Sequence, residues 1–584
     1  MRGLISGLLA LALLASPALS QQAADTVAPE GMSGAVPKSV VSAKKWMVAA
    51  ANPLAAEAGA GVLRSGGSAV DALVAVQLVL GLVEPQSSGL GGGAFLVYWD
   101  ATTKRLTTFD GRETAPRAAT PTLFQDAKGE PLTFMGAVVG GRSVGTPGTP
   151  RLLETVHRRF GRLAWGRLFE PALNLADEGF KVSPRLASLI TEDVDTLKRV
   201  PVTRDYFLNA DGTPLSAGTV LKNPAYARTL RRMAFEGSDV IYGGALAADI
   251  VRTVRTAKGN PGVMTLEDLR GYKVKERMPI CAPYREVDVC GMGPPSSGAL
   301  TIGQILGMLQ PYDLKALGPT SPEAWRLIAD ASRLAFADRG RYIADSDFVP
   351  MPTKGLIAPD YLAARAKLLG AGDALPEVAP GTPKWDHASL DTRRADDEAL
   401  ELPSTSHISI VDGQGNVVSM TSTIEAGFGS RLMVGGFLLN NELTDFSFRS
   451  QKDGVPIANR VEPGKRPRSS MSPTIVMKAG RPLLAIGSPG GSQIIGYVAK
   501  TLIAHFDWGM DIQAAIAAPN VLARFDAVEI EQGTSASALA PGLRELGFKV
   551  EEAPMTSGVQ AILIGPDGLI GAADPRREGI AIGE

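Results

Sequence analysis

The feature that most constrains this chain is a threonine that opens an apolar, β-prone segment directly after a long polar stretch. The sequence there reads Ser404-Thr405-Ser406-His407-Ile408-Ser409-Ile410-Val411. A chain cut before Thr405 would carry a hydroxyl and a free α-amine on one residue, and the amine can then act as the base for the hydroxyl. Such an amine has an ordinary pKa of about 7.7–8.0, near the range in which a general base works best. The alternative is that Thr405 is an ordinary β-branched strand residue. The other motifs of the chain decide between these two interpretations.

Composition excludes several classes of function. The 584 residues carry 59 Lys and Arg against 60 Asp and Glu, a net charge of −1, which does not indicate nucleic acid or an acidic membrane surface as partner. Only four histidines are present, with no HExxH or CxxC motif, so we expect no metal site and no cofactor. Cys281 and Cys290 are either a cross-strand disulfide, suited to an oxidising compartment, or two buried thiols.

The first 20 residues have the pattern of a secretory signal peptide. Arg2 supplies a positive charge, Leu4 to Ala15 is apolar, and Ala18-Leu19-Ser20 offers small residues for cleavage before Gln21. The apolar run Ala72–Val83 is too short to span a membrane and predicts a buried helix. We therefore expect a periplasmic or secreted protein with no membrane span in its mature form.

Residues 371–404 are the best linker candidate, because they combine prolines and scattered charges with little periodicity. Before them the pattern is mostly helical, as in Pro322–Arg341, and after them strands dominate. Three hairpins are predicted, pairing His407–Val411 with Val417–Thr423, Thr474–Lys478 with Leu483–Ile486, and Ala561–Ile564 with Leu569–Gly571. Strands in hairpins with helices between them predict an α+β layered sandwich.

Four short motifs combine residue types that can bind or stabilise charge. Gly487–Ser492 follows a strand and precedes a helix, where backbone amides suit an oxyanion, although a tight turn has the same pattern. Arg466–Pro473 places hydroxyls beside cations and suits a carboxylate, or is a solvated loop. Phe109–Glu113 holds an arginine between two carboxylates, for which a surface salt bridge is the local alternative. Leu438–Phe446 runs from an apolar strand into carboxylates that suit an ammonium group, or into an Asn/Asp-rich turn.

Two further patterns point elsewhere and are rejected. Gly141-Arg142-Ser143-Val144-Gly145 matches the G-x-S-x-G nucleophile elbow, but Pro147 and Pro150 stand where that elbow needs an immediate helix. Ser42-Ala43-Lys44-Lys45 matches S-x-x-K, but no K-T-G motif follows it.

Taken in order, the motifs resemble one family over essentially the whole mature chain. They are Ala51–Ala55, Glu84–Gly93, Arg112–Pro116, Pro294–Gly298, Ala337-Asp338-Arg339, Thr405-Ser406-His407, Leu439–Glu442, Lys465-Arg466-Pro467, Ser469–Pro473 and Gly487–Gly491. The chain resembles the γ-glutamyltranspeptidase family of N-terminal-nucleophile hydrolases. That resemblance implies a four-layer αββα sandwich that forms one compact unit.

The resemblance also implies a self-cleaving precursor. The cut would fall between Ser404 and Thr405, giving a heterodimer of a large subunit (residues 21–404) and a small catalytic subunit (residues 405–584). Thr405 would be the nucleophile, Thr423 would orient its hydroxyl, and the amides of Gly490 and Gly491 would stabilise the oxyanion.

The implied donor is glutathione or a related γ-glutamyl compound, and the implied acceptor is water, an amino acid or a peptide. The donor α-carboxylate would meet Arg112, Ser469 and Ser470. Its α-ammonium would meet Glu425, Glu442 and Asp445. Glu425 stands where many members have Asn and still favours an ammonium group.

The sequence also departs from the family pattern elsewhere. Ser406 replaces the second Thr of the common Thr-Thr-His. The segment 446–468 is short and contains no Tyr, which predicts a short or absent lid over the site.

Two other functions stay open at the level of sequence. A cephalosporin (glutaryl) acylase shares this fold and nucleophile, but its substrate side chain lacks the ammonium group that three acidic residues would bind. A periplasmic binding protein that has lost self-processing would not need Thr405, Thr423 and the two glycines.

Overall fold

The computed structural model describes residues 36–386, 393–397, 399 and 404–584. The strands are β1 (Val41–Ala43), β2 (Met47–Ala50), β3 (Gly93–Asp100), β4 (Arg105–Gly111), β5 (Phe180–Lys181), β6 (Val220–Leu221), β7 (Lys275–Arg277), β8 (Ile280–Tyr284), β9 (Val287–Gly291), β10 (Thr405–Val411), β11 (Val417–Thr423), β12 (Met433–Val434), β13 (Phe437–Leu438), β14 (Gln451–Lys452), β15 (Val455–Pro456), β16 (Thr474–Lys478), β17 (Arg481–Gly487), β18 (Val521–Ala523), β19 (Ala527–Glu531), β20 (Lys549–Ala553), β21 (Gln560–Gly565), β22 (Gly568–Ala573) and β23 (Ile580–Gly583).

The α-helices are α1 (Pro53–Arg64), α2 (Ala69–Val83), α3 (Phe134–Val138), α4 (Thr149–Phe160), α5 (Glu170–Glu178), α6 (Pro184–Glu192), α7 (Val194–Leu197), α8 (Pro201–Phe207), α9 (Pro224–Glu236), α10 (Asp239–Tyr242), α11 (Gly244–Arg255), α12 (Leu266–Arg270), α13 (Gly298–Leu309), α14 (Leu314–Leu317), α15 (Pro322–Tyr342), α16 (Thr353–Leu356), α17 (Pro359–Ala366), α18 (Ile494–Phe506), α19 (Ile512–Ala517) and α20 (Ala540–Glu545). Short 3₁₀ helices cover Trp165–Phe169, Lys367–Ala371, Glu442–Asp445, Gly491–Gln493 and Ser535–Leu539.

Two antiparallel sheets of seven strands each form the centre of the described structure. One has the order β1-β22-β21-β17-β16-β9-β8 and the other the order β23-β2-β10-β11-β3-β4-β7. The sheets pack face to face through a buried apolar cluster that includes Met47, Val97, Ile475, Ala485 and Ile562. Alternate residues of each strand therefore face this interface or an outer helical layer, as the pleat of a strand requires.

Helices cover the outer face of each sheet. On one side, α2 packs its buried apolar side chains against Leu96, Ile408 and Ile410 of the second sheet. On the other side, α13 and α18 pack against the first sheet, in a cluster that includes Val476 and Ile486, and α15 packs on α13. The layers follow the order αββα, so the predicted α+β four-layer fold is confirmed.

The helix starts follow the sequence signals. The Asn52 side chain accepts a hydrogen bond from the Leu54 amide at 3.0 Å and caps α1, with Pro53 as its first residue. Ser68 and Asp71 form a capping box at the start of α2. Helix α2 begins three residues earlier than the apolar run Ala72–Val83, because a cap fixes a helix start and the apolar pattern does not.

One hairpin determines the geometry of the site. The Asp412 carboxylate accepts hydrogen bonds from the Gln414 and Asn416 amides at 2.9 and 3.0 Å, which closes the turn between β10 and β11. Val411 then pairs with Val417, and the register carries through to Thr405 opposite Thr423 at the far end. The predicted hairpin is confirmed, and it brings the two threonines face to face.

The two cysteines, left open by the sequence, form a disulfide between the paired strands β8 and β9. No helix within the described residues is both long and apolar enough to cross a membrane. The predicted signal peptide, residues 1–20, lies outside the described residues. So does part of the predicted linker, whose described part lacks regular helix and strand from residue 372 to 386.

Candidate active site

A small cavity lies where β10 begins and β11 ends. Its lining residues come from both halves of the chain and are Arg112, Thr405, Thr423, Glu425, Glu442, Asp445, Ser469, Met471, Gly491 and Ile494. Eight of the ten were predicted from sequence as site residues. The other predicted residues, Ser404, Ser470 and Gly490, each directly precede a lining residue along the chain.

Thr405, Thr423 and the Ser404 carbonyl form a short hydrogen-bonded series. The Thr405 hydroxyl donates to Thr423 Oγ at 3.3 Å, and the Thr423 hydroxyl donates to the Ser404 carbonyl oxygen at 2.6 Å. Thr423 Oγ also accepts the Glu425 amide at 2.8 Å. A hydroxyl has one hydrogen to donate, so the hydrogen of Thr423 polarises the carbonyl that precedes Thr405.

Neighbouring segments hold the Ser404–Thr405 bond from both sides. The Ser404 hydroxyl donates to the Gln86 carbonyl oxygen at 2.7 Å. Arg577 Nη1 lies 3.5 Å from the Thr405 carbonyl oxygen. The backbone at Gly92 lies against the end of β11, since an added Cβ at Gly92 would stand 2.0 Å from the Thr423 carbonyl oxygen. A side chain at that position is therefore excluded, which explains a glycine in the Ser87–Gly93 motif.

The predicted cationic and anionic groups are in direct contact. The Arg112 guanidinium pairs with the Glu442 carboxylate and with Asp445 Oδ2, and all three side chains are buried. It also donates to the carbonyl oxygens of Pro467 and Arg468 at 3.2 and 2.7 Å. The local alternative of a surface salt bridge for Arg112 is therefore wrong, since the side chain is 0% exposed.

Among the described residues that line the cavity, negatively charged side chains outnumber positively charged ones. One guanidinium, that of Arg112, faces three carboxylates, those of Glu425, Glu442 and Asp445. Burial, reinforced by the Glu442 carboxylate, raises the pKa of the adjacent Glu113 carboxyl well above its ordinary value. The anionic excess of the lining favours a ligand that carries a positive charge.

Glu425 is held in place by a residue to which the sequence assigned no role. Asn441 Nδ2 donates to the Glu425 carboxylate, and Asn441 Oδ1 accepts the Ala426 amide at 3.0 Å. Glu425 has a φ of 77°, which L-residues rarely adopt and which fixed surroundings must stabilise. Asn441 stood inside the polar cluster noted in the sequence, but only its contact with Glu425 reveals the role.

The two predicted serines lie in the loop after β15. Ser469 lines the cavity, its amide donates to the Pro295 carbonyl oxygen at 3.0 Å, and its hydroxyl accepts the Met471 amide at 3.1 Å. Ser470 is buried beside it. Sequence reasoning missed Met471 and Ile494, the two apolar lining residues, because both look like ordinary core positions.

Gly490 and Gly491 lie between β17 and α18, with φ values of 136° and 55°. An added Cβ at Gly490 would stand 2.6 Å from the Tyr497 ring, so glycine is required on steric as well as conformational grounds. Gly491 lines the cavity and opens a 3₁₀ turn that leads into α18. This places a helix start at the cavity, as the motif indicated.

His407 is buried between the sheets and does not line the cavity. Its ring nitrogens contact Thr421 Oγ at 2.8 Å and Ser409 Oγ at 3.1 Å. Burial lowers the pKa of His407 to about 3, so the ring is neutral. Ser143 of the rejected G-x-S-x-G match is also buried and donates to the Val138 carbonyl oxygen at 2.7 Å, a structural bond.

The segment 446–468 does not line the cavity, although its last residues, Pro467 and Arg468, contact Arg112. Phe448 is buried and stacks on Phe124 at 4.7 Å between ring centroids, with Phe134 beyond it. No residue of the segment is among the lining residues in the described part of the chain. Nor do the described residues contain a cluster of His, Cys, Asp or Glu side chains arranged to hold a metal ion.

A sequence profile described as Gamma-glutamyltranspeptidase matches residues 55–584, almost the whole chain. The chain belongs to this family. It is 37% identical over 555 residues to the glutathione hydrolase proenzyme of Bacillus subtilis strain 168, which covers 94% of this chain and 92% of that protein. It is 33% identical over 554 residues to the acylase ACY 1 proenzyme of Pseudomonas sp. strain SE83, covering 93% and 94%.

The fold extends to solved structures. The cephalosporin acylase from Bacillus halodurans matches with a TM-score of 0.81 at 26% identity, covering 96% of this chain and 99% of that chain. Family membership makes the chain an enzyme of the γ-glutamyltransferase type. Because acylases share its architecture, the choice of substrate depends on the side chains of the cavity.

Proposed function

We propose that the chain is an exported precursor that cuts itself between Ser404 and Thr405 and then transfers γ-glutamyl groups from glutathione and related compounds. The observation that carries this proposal is the series from Thr405 Oγ through Thr423 Oγ to the Ser404 carbonyl, in a cavity with one cationic and three anionic side chains.

In the first step, Thr405 Oγ attacks the Ser404 carbonyl carbon, and the peptide bond to the Thr405 nitrogen breaks as the hydroxyl proton passes to that nitrogen. The product is an ester between Ser404 and the Thr405 hydroxyl. Water hydrolyses that ester, giving a carboxylate on Ser404 and a free amine on Thr405. The Thr423 hydroxyl, which already donates to this carbonyl at 2.6 Å, stabilises the negative charge that develops on its oxygen.

Turnover repeats the same chemistry on a donor. The Thr405 amine takes the proton of its own hydroxyl as the oxygen attacks the γ-carbonyl carbon, and the leaving amine departs with a proton. The backbone amides at Gly490 and Gly491 support the oxyanion. The resulting γ-glutamyl ester on Thr405 is released to water or to the amine of an amino acid or peptide.

Donor recognition requires a zwitterion to fit between opposite charges. The carboxylates of Glu425, Glu442 and Asp445 line the cavity and suit an α-ammonium group. Arg112 and the serine hydroxyls suit the α-carboxylate. A glutaryl side chain has no ammonium group, so this lining favours γ-glutamyl donors over the substrates of an acylase.

Intact mass of the purified, denatured and reduced protein tests self-cleavage. We expect two species, residues 21–404 and 405–584. A large species that begins at Gln21 would also support export. Thr405→Ala should give one unbroken species, while Thr405→Ser, which keeps a hydroxyl, should still cleave. A wild-type protein that stays intact, or a Thr405→Ala variant that cleaves, would contradict the proposal.

Substrate choice is tested by comparing kcat/KM for γ-glutamyl-p-nitroanilide and glutaryl-p-nitroanilide. The two donors differ only in the α-ammonium group, because each keeps one carboxylate at the same end of a chain of the same length. We expect the γ-glutamyl donor to be preferred. A preference for the glutaryl donor would instead favour the acylase function.

A further inference from the structure

Two sequence motifs remain without a role in the site as described, Pro294–Gly298 before α13 and Ala337-Asp338-Arg339 within α15. The structure brings both against the loop that holds the two serines. Ser296 pairs with Ser469 in a parallel bridge, and the Ser297 amide donates to the Ser469 carbonyl oxygen at 2.7 Å. The Ser296 hydroxyl donates to the Met471 carbonyl oxygen at 2.7 Å. The first motif therefore fixes the backbone of the serine loop.

The second motif reaches a side chain of that loop. Arg339 is 3% exposed; its Nε donates to Ser297 Oγ at 2.9 Å and its Nη2 donates to Ser470 Oγ at 2.8 Å. A guanidinium only donates hydrogen bonds, so both hydroxyl oxygens must act as acceptors towards it. The Ser297 hydroxyl in turn donates a hydrogen bond to the Ser469 carbonyl oxygen at 2.8 Å.

Ser470 differs from Ser297 in what its hydroxyl hydrogen does. Its oxygen accepts from Arg339, and its hydrogen makes no second hydrogen bond to any of the described residues. Ser469 is in the same condition, because its oxygen accepts the Met471 amide. Two adjacent hydroxyls are thus each held as acceptors from the protein, and neither hydrogen has an acceptor among the described residues. Ser469 lines the cavity, and Ser470 is buried directly beside it.

We propose that Arg339 is a positioning residue that commits the Ser470 hydroxyl to donate to the α-carboxylate of the γ-glutamyl donor. This inference rests on the proposed function. The bond from a charged guanidinium also polarises the Ser470 O–H and strengthens its donation to a carboxylate. Arg339 precedes the proposed cut and Ser470 follows it, so the contact would join the large subunit to the donor site of the small one.

The test compares two donors that differ in the α-carboxylate alone, γ-glutamyl-p-nitroanilide and 4-aminobutyryl-p-nitroanilide. For Arg339→Met we expect KM for the γ-glutamyl donor to rise about 10- to 100-fold, the usual effect of losing a hydrogen bond to a charged group, with a smaller change in kcat. For the 4-aminobutyryl donor we expect kcat/KM to change less than about 3-fold. Arg339→Lys, which keeps the charge, should recover part of the loss.

Double substitution separates positioning from a general structural effect. If Arg339 acts through Ser470, then Arg339→Met should add nothing measurable to Ser470→Ala. Arg333→Met is the matched control, because Arg333 is a buried arginine of the same helix that donates to Asp330 and to the Phe525 carbonyl oxygen, and it should leave both donors unaffected.

Self-cleavage by intact mass reports folding of each variant. Where Arg339→Met does not mature, Arg339→Lys and Ser470→Ala carry the same donor comparison. Equal losses with both donors, or additive effects in the double variant, would overturn the inference. A wild-type enzyme that turns over neither donor would overturn the proposed function itself, a result distinguishable from failure of the inference alone.

Discussion

Replacing Thr423 by valine removes one oxygen from the centre of the site and leaves the shape of the side chain almost unchanged. That oxygen takes part in three hydrogen bonds, to the Ser404 carbonyl, from the Thr405 hydroxyl and from the Glu425 amide, at 2.6, 3.3 and 2.8 Å. The bond to the Ser404 carbonyl stabilises the charge that develops during cleavage. Loss of one such donor typically slows a reaction about 10²- to 10³-fold.

Thr423→Val should also lower the free energy of unfolding, and a control variant can match that loss. Thr423→Val leaves the buried Ser404 carbonyl and Glu425 amide without this partner, at a cost of about 1–3 kcal/mol each. Thr421→Val removes a buried hydroxyl from the same face of β11, and deprives His407 Nδ1 of its 2.8 Å contact. Thr421→Val should lose stability for the same reason, the loss of a buried hydrogen bond. Thr421, however, contacts neither Thr405 nor Thr423 nor the scissile bond.

The assay is a time course of intact mass on freshly purified precursor, with stability followed by urea denaturation. We expect Thr423→Val to accumulate unbroken precursor for at least about 100 times longer than the wild type. Thr421→Val should cleave at a rate close to that of the wild type. If Thr423→Val cleaves normally, or if both variants are slowed alike, the role assigned to the Thr423 hydroxyl is refuted.

Three further outcomes follow from buried groups, each measured on a precursor blocked in cleavage. Arg112→Met removes the guanidinium that pairs with two buried carboxylates, and it should lower the free energy of unfolding in urea by about 3–5 kcal/mol. Arg231→Met breaks an exposed ion pair and should cost under about 1 kcal/mol, so equal losses would contradict this expectation. His407 is neutral when folded, with a pKa of about 3, and protonates below about 6.5 when unfolded, so stability should fall as pH drops from about 6.5 towards 3; His407→Gln should lessen that slope, and an unchanged slope would refute the assignment. Gly92→Ala should reduce the yield of folded protein, because its Cβ would stand 2.0 Å from a carbonyl oxygen of β11, while Gly61→Ala on α1 meets nothing within 4 Å and should be neutral or stabilising.

Local patterns predicted the parts of the fold that are determined locally. The Asp412 turn, the caps at Asn52 and Ser68, and the alternation of β10 and β11 each reside within about ten residues, and each is present. Counting the hairpin register back from the turn also pairs Thr405 with Thr423. The layer order came from the family resemblance, since nothing in a single strand states which sheet it joins.

Contacts between distant segments could not be read from the sequence. The pairing of Arg112 with Glu442 joins residues 330 positions apart, and the sequence treated the two as parts of separate pockets. Asn441 and Arg339 act only through the side chains they touch, so their residue types alone gave no signal. The cysteine spacing allowed two states, and only the pairing of β8 with β9 distinguishes them.

The hydroxyl of Thr423 has a single hydrogen, and in the uncut chain it donates that hydrogen to the Ser404 carbonyl oxygen. Cleavage at that bond would carry the acceptor away and return the hydrogen to the neighbourhood of the Thr405 nitrogen and oxygen. Activation would then consist of losing this acceptor and freeing the Thr405 amine, with no new residue recruited. A variant at position 423 would accordingly impair maturation and turnover together, and the two could be separated only by producing residues 21–404 and 405–584 as independent chains.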